Sequence, residues 1–143
     1  MSTFVIDASV AVRWFLDSKD EQLVDQALDL LDRHEKGEVE FVVPDLFWAE
    51  LGNVFWKAAW KGRCSPSEAE RSLLIMRSSK LLTIPSQGLL QQAFQIACDW
   101  GRTFYDSLYV ALAAESRNEF VTADEKLVNA LGGRFPVKWL GSV

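Results

Sequence analysis

The stretch Thr3-Phe-Val-Ile-Asp-Ala-Ser-Val-Ala-Val-Arg-Trp-Phe-Leu16 decides the fold. Thr3–Ile6 is a short β-rich run that stops at Asp7. From Ser9 to Leu16 the apolar residues Val10, Trp14 and Phe15 fall at helical spacing. A strand passes into a helix, with one acid at the junction. The same alternation continues down the chain. Asp20 to Lys36 is helical through Leu23, Ala27, Leu30 and Leu31, and Gly37 is placed to end it. Glu40–Val43 reads as a strand stopped by Pro44. Asp45 is placed to N-cap a long helix reaching Lys61, with Gly62 beyond it. Ser65-Pro66-Ser67-Glu68 is a capping-box sequence that opens a helix to Lys80. Leu81–Ile84 is a strand, followed by Pro85. Gln87 to Trp100 is helical and Gly101 closes it. Thr103 opens a helix through Arg117, ended by Asn118. Phe120–Thr122 is a strand, Asp124–Leu131 a helix, and Val137–Leu140 a short last strand.

Strands separated by helices pair in parallel, because antiparallel neighbours need only a tight turn. The expected fold is therefore α/β: a three-layer α/β/α sandwich around a short five-stranded parallel sheet. With 143 residues and no linker-like shift in composition, residues 1–143 form a single domain. Ligands of open parallel sheets gather beyond the carboxyl ends of the strands. Asp7 and Asp124 both fall at such ends.

Composition removes several chemistries. At 49% hydrophobic, the chain is not intrinsically disordered. Cys64 and Cys98 form neither a CxxC motif nor a Cys/His cluster, which fits a reducing, cytoplasmic setting. No signal peptide or membrane-spanning run is visible. The one histidine, His34, lies in a polar helix end and reads as solvated, so triads and His-rich zinc sites are disfavoured. The net charge of −5 argues against a general nucleic-acid binder. Any chemistry must run on carboxylates, hydroxyls or bound metal.

Four acids stand out. Asp7 ends an apolar strand. Glu50 lies in a helix that is otherwise almost wholly apolar. Asp106 follows Thr103 at the start of an apolar helix, and Asp124 follows Thr122. Each alone has an ordinary explanation: a helix cap for Asp7 and Asp124, a capping pair for Thr103 and Asp106, a surface stripe with Asn53 and Lys57 for Glu50. Together, a parallel sheet brings all four to one edge. Four carboxylates in one pocket repel one another unless a divalent cation is present, and oxygen ligands without His or Cys select Mg²⁺ or Mn²⁺. Such a site suits in-line hydrolysis of a phosphodiester.

Four strings, Val5-Ile-Asp7-Ala-Ser9, Pro44-Asp-Leu-Phe-Trp-Ala-Glu50-Leu, Thr103-Phe-Tyr-Asp106-Ser-Leu-Tyr-Val-Ala-Leu and Val121-Thr122-Ala-Asp124-Glu-Lys-Leu, resemble the signature blocks of PIN-domain ribonucleases. The similarity is to the VapC-type toxins of toxin–antitoxin modules, and the blocks come in the family's order. The resemblance implies a Mg²⁺- or Mn²⁺-dependent endoribonuclease, a homodimer, and inhibition by a VapB-type antitoxin. Carried over by position, Asp7, Glu50, Asp106 and Asp124 are the catalytic and metal-binding acids. Ser9 and Thr122 match auxiliary hydroxyl positions.

RNA must still be held through local cations. Arg13, Lys57, Lys61, Arg63 and Arg102 are the candidates, with ordinary surface charge the alternative for each. The helix with Trp48, Trp56 and Trp60 is apolar well beyond one face, so part of it should form an interface, and an antitoxin segment is expected across Asp45–Lys61. Two other readings stand beside the toxin: a PIN-type nuclease of RNA processing or decay, and a non-catalytic interaction module on the same fold. An aspartate phosphatase is disfavoured because Asp7-Ala-Ser9 lacks the second acid of a DxD pattern.

Overall fold

The β-branched and aromatic residues of the first strand, β1 (Ser2–Ile6), are buried from Phe4 to Ile6, so the strand lies in the middle of a sheet. The computed structural model describes residues 1–16 and 23–143. β1 pairs in parallel with β2 (Val39–Pro44) on one side and with β4 (Glu119–Thr122) on the other. β3 (Leu82–Ile84) extends the sheet beyond β2, and β5 (Val137–Trp139) extends it beyond β4. The order is β3-β2-β1-β4-β5, and every pairing is parallel.

The chain steps outward from β1 to β3, then returns to the far side of β1 for β4 and β5. The junction of β1 and β4 is therefore a topological switch point, where an open sheet leaves a crevice at its carboxyl edge. Right-handed crossovers put the helices of the outward path on one face and those of the return path on the other. The first set is α1 (Ala8–Ala11), α2 (Val24–Glu35), α3 (Leu46–Trp60) and α4 (Pro66–Ser78). The second set is α5 (Leu90–Trp100), α6 (Phe104–Ser116) and α7 (Glu125–Leu131). α6 crosses β1, β2 and β4 and buries every residue from Ser107 to Ala113, so it is apolar all round by necessity. Phe41, Phe47, Phe55 and Phe120 are the largest wholly buried side chains. Truncating one of them to Ala costs about 3–5 kcal/mol.

Local rules hold at most junctions. Ser65 and Glu68 form the reciprocal capping box, with Pro66 at the first helical position. Gly101 closes α5 in the left-handed conformation at φ 66°, and Gly37 follows α2 at φ 76°.

Other expectations need correction. The helix expected from Ser9 to Leu16 is only α1, followed by a 3₁₀ turn at Val12–Trp14. There the Trp14 indole donates to the Ala27 carbonyl at 2.8 Å and draws the chain toward α2. The helix expected from Asp20 starts at Val24 among the described residues; the part of that expectation on residues 20–22 lies outside them. Asp45 does not cap α3 with its side chain, because its carboxylate accepts the Ser86 hydroxyl instead. α5 is preceded by a 3₁₀ turn at Ser86–Leu89. Arg117, not Asn118, takes the left-handed position after α6, at φ 59°. His34 is not simply solvated: its Nδ1 bonds the Val39 carbonyl at 2.9 Å and its ring stacks on Phe41. No helix among the described residues is long and apolar enough to cross a membrane.

Candidate active site

α1, α3 and α7 begin directly after β1, β2 and β4, at the carboxyl edge of the sheet, and α6 begins at the same edge and runs back toward β4. Asp7 is the N-cap of α1 and Asp124 the N-cap of α7. Asp106 lies in the first turn of α6 and Glu50 in the second turn of α3. Four helix N-termini thus face one crevice, and their partial positive charges offset part of the repulsion among four carboxylates.

Ile6 pairs with Val121, so the residues just beyond them, Asp7 and Thr122, lie level at the switch point. The Thr122 hydroxyl donates to Asp7 Oδ2 at 2.7 Å and accepts from the Asp124 backbone N–H at 3.1 Å. The Ser9 hydroxyl donates to Asp7 Oδ1 and accepts from the Ala123 N–H at 3.0 Å. Two hydroxyls therefore lock the ends of β1 and β4 together and aim the Asp7 carboxylate. Thr122 is wholly buried and its contacts are to protein groups, which makes it a positioning residue here. Burial pushes Asp7 up to about 6, against the pull of its hydrogen bonds from Ser9 and Thr122; the nearby Glu50 charge raises it further.

Glu50 Oε1 accepts the Tyr109 hydroxyl at 2.6 Å. The Tyr109 ring stacks on Phe120 of β4, with centroids 5.2 Å apart, and so carries a fixed donor from α6 to α3. Burial raises the Glu50 pKa, the Tyr109 bond lowers it, and the Asp106 charge raises it. Burial and the Glu50 charge hold the Tyr109 phenol far up, so it stays a donor. Asp106 is also raised chiefly by burial. Arg102, 3.8 Å away, pulls it back down, and Asp124 pushes it up. The electrostatic links run Asp7 to Glu50, Glu50 to Asp106 and Asp106 to Asp124. The four acids, drawn from residues 7 to 124, share one neighbourhood.

The donor set is all oxygen: four carboxylates and two hydroxyls, without imidazole or thiolate. That chemistry fits a hard divalent cation. Among the described residues, no three acids stand together as a ready-made cage for an ion. Mg²⁺ does not need one, since it keeps several waters and takes one or two carboxylates together with substrate phosphate.

The candidate cations separate in space. Arg102 is committed to Asp106. Arg13 donates from Nη1 to the Ser9 carbonyl at 2.6 Å and lines a groove with Lys57, Lys61 and Arg63. The buried Nε atoms of Arg13 and Arg102 have no hydrogen-bond partner. Sequence reasoning missed Tyr109. The available signal was its position three residues after Asp106, which puts it on the same helix face.

With the five-stranded parallel sheet in place, the PIN domain family profile matches residues 4–131. The chain belongs to the PIN domain family. It is 32% identical over 110 residues to exonuclease VapC9 of Pyrobaculum aerophilum, covering 76% of this chain and 80% of that protein. It is 29% identical over 125 residues to ribonuclease VapC3 of the same organism, covering 86% of this chain and 90% of that protein. Its fold matches the structure of VapBC2 from Rickettsia felis bound to a promoter DNA fragment, with a TM-score of 0.64 and 15% identity, covering 96% of this chain and 98% of that one.

Proposed function

We propose that this chain is a Mg²⁺- or Mn²⁺-dependent endoribonuclease and the toxin of a VapBC-type pair. The observation that carries the reading is the meeting of Asp7, Glu50, Asp106 and Asp124 at the switch point, with three of them raised by burial and by one another. Charges so placed oppose folding unless something positive joins them, and perturbed carboxylates in a cleft mark functional sites. The relatives named as nucleases support the same chemistry.

Asp7, Asp106 and Asp124 would hold the cation, directly or through water. The bound cation supplies Lewis-acid charge at the phosphate and a more acidic water. Glu50, fixed by Tyr109, orients the attacking water and draws on its proton. Water oxygen bonds to phosphorus as the bond to the 3′-oxygen breaks, and the departing oxygen takes a proton from solvent, leaving 5′-phosphate and 3′-hydroxyl ends. Thr122 and Ser9 hold Asp7 in register with Asp124, and Arg102 favours the ionised form of Asp106.

The test is cleavage of a labelled RNA by chelator-treated protein, with Mg²⁺ or Mn²⁺ added back, beside Asp7→Ala and Asp106→Asn. Cleavage should require the cation and vanish in both variants while circular dichroism stays native. Unchanged cleavage in either variant removes the assignment. The name of the VapC9 relative favours a second reading, digestion from an end. A circular RNA separates the two, because only an endonuclease linearises it.

A VapB-type antitoxin is the proposed protein partner. Trp56 and Trp60 on α3 are 56% and 78% exposed with their rings stacked, and they give an antitoxin segment an apolar seat across Asp45–Lys61. Their replacement by Ser should weaken a co-expressed antitoxin's retention without unfolding the chain. A homodimer in the cytoplasm completes the proposal. Light scattering at twice the monomer mass supports the dimer, and a monomer at micromolar concentration contradicts it.

A further inference from the structure

The turn from α5 into α6 carries one cation. Gly101 ends α5 in the left-handed conformation, Thr103 caps α6 by accepting the Asp106 N–H at 3.1 Å, and Arg102 stands between them. A cation just before the N-terminus of a 13-residue helix opposes the helix dipole. Arg102 is nonetheless folded back against that helix, with 26% of its side chain exposed and its guanidinium on Asp106, four residues on. The contact is loose. Nη2 lies 3.8 Å from Asp106 Oδ2, which pairs the charges but is too long for a hydrogen bond. Nε is buried without a hydrogen-bond partner, and among the described residues no other ion pair holds the guanidinium. Two costs therefore attach to Arg102, the dipole and the orphaned Nε. What it gains is the charge of Asp106, the acid coupled to both Glu50 and Asp124.

A divalent ion held by Asp106 would meet this guanidinium as a like charge, so Arg102 opposes a cation that arrives alone. A phosphodiester reverses the sign. Its two non-bridging oxygens accept from Nε and an Nη together, the fork geometry that suits arginine, and the buried Nε gains a partner. The same phosphate gives oxygen to the ion, which a site without a ready-made cage of acids requires among the described residues. We propose that Arg102 couples the cation to the RNA: it is the counter-charge of Asp106 in the free chain and passes to a substrate phosphate as the ion takes Asp106. The inference rests on the nuclease reading and adds an order of assembly to it. The chain holds its ion firmly only beside a phosphodiester, and by reciprocity holds the phosphodiester firmly only beside the ion. Arg102 is a positioning residue in the free chain and a phosphate ligand in the loaded one.

The experiment is calorimetric titration of Mn²⁺ at mildly alkaline pH, where the acids are ionised, without and with a short unpaired RNA. All proteins carry Glu50→Gln to slow turnover. With Arg102 present, RNA should raise the Mn²⁺ affinity at least about fivefold, the low end of ordinary couplings. Arg102→Gln should bind Mn²⁺ alone about fivefold more tightly than the Arg102 protein, and RNA should add little to it. Arg102→Lys keeps the charge on a compact ammonium without the fork, so it should match Arg102 without RNA and recover only part of the gain with it. A residue that merely held the turn would, on removal, weaken Mn²⁺ binding or leave it unchanged. Mn²⁺ affinity in Arg102→Gln no higher than with Arg102 therefore overturns the inference. An undiminished gain from RNA in that variant overturns it too, as does the absence of saturable Mn²⁺ binding in every arm. These outcomes are separate from the nuclease reading. If the coupling fails, the parent chain still cuts RNA; if the nuclease reading fails, the parent chain leaves RNA intact whatever the Mn²⁺ titrations show.

Discussion

Replacing Asp7 by Asn should stabilise the metal-free protein at neutral pH. Burial raises this carboxyl from 3.8 to about 6, and at about 1.36 kcal/mol for each pH unit its ionisation costs the fold about 3 kcal/mol. Asn keeps an acceptor for the Ser9 N–H, which Asp7 receives at 3.2 Å. It loses the full carboxylate bond from Thr122, whose hydroxyl is already engaged with the Asp124 N–H, at a cost of about 1–2 kcal/mol. The net gain is about 1–2 kcal/mol, a melting-temperature rise on the order of 5 °C for a domain of this size. The gain depends on pH. The folded Asp7 binds its proton more tightly than the unfolded chain does. Parent stability therefore climbs as pH falls from about 6 toward 4, while the variant lacks this contribution, so its advantage fades over that window. Differential scanning calorimetry in chelator, near neutral pH and again at about pH 4, measures both effects. Millimolar Mg²⁺ should then raise the parent and leave the variant nearly still. If the Asp7→Asn protein melts several degrees below the parent at neutral pH in chelator, the carboxylate serves mainly as a helix cap and the repulsion argument is wrong.

Glu50→Gln should cut the rate of RNA cleavage by about 10²–10⁴ in single-turnover assays without lowering thermal stability, because Glu50 too is raised by burial. Tyr109→Phe removes the 2.6 Å bond that holds Glu50 down, so the acidic limb of the pH–rate profile should move to higher pH. Stability should fall by about 1–2 kcal/mol. Thr122→Val leaves the Asp124 N–H and one Asp7 oxygen without their partner, and chemical denaturation should show a loss of about 1–3 kcal/mol together with slower cleavage.

The architecture was legible because its signals are local. Runs such as Phe41–Val43 end at Pro44, helices open on Ser65 or Thr103, and Gly37 and Gly101 take positive φ where helices stop. Three of the candidate acids were legible for the same reason, since Asp7 and Asp124 follow strands and Asp106 begins a helix, while Glu50 stood out only by the apolar helix around it. What escaped depends on long-range approach. The Asp45 carboxylate looks like a cap until Ser86, 41 residues away, captures it. His34 looks solvated until Phe41 stacks on its ring. Tyr109 reads as core until α3 brings Glu50 to its hydroxyl. The cations Arg13 and Lys57 are ordinary surface charges in the sequence, and only the packing of α1 against α3 sets them around one groove.

Direct titration of Mn²⁺ into the protein with RNA present, parent beside Asp7→Asn, tests the shared-cation claim most closely. The account predicts saturable binding by the parent and at least a tenfold loss, about 1.4 kcal/mol, in the variant. Equal affinity in the two proteins, or no binding by the parent, would contradict it.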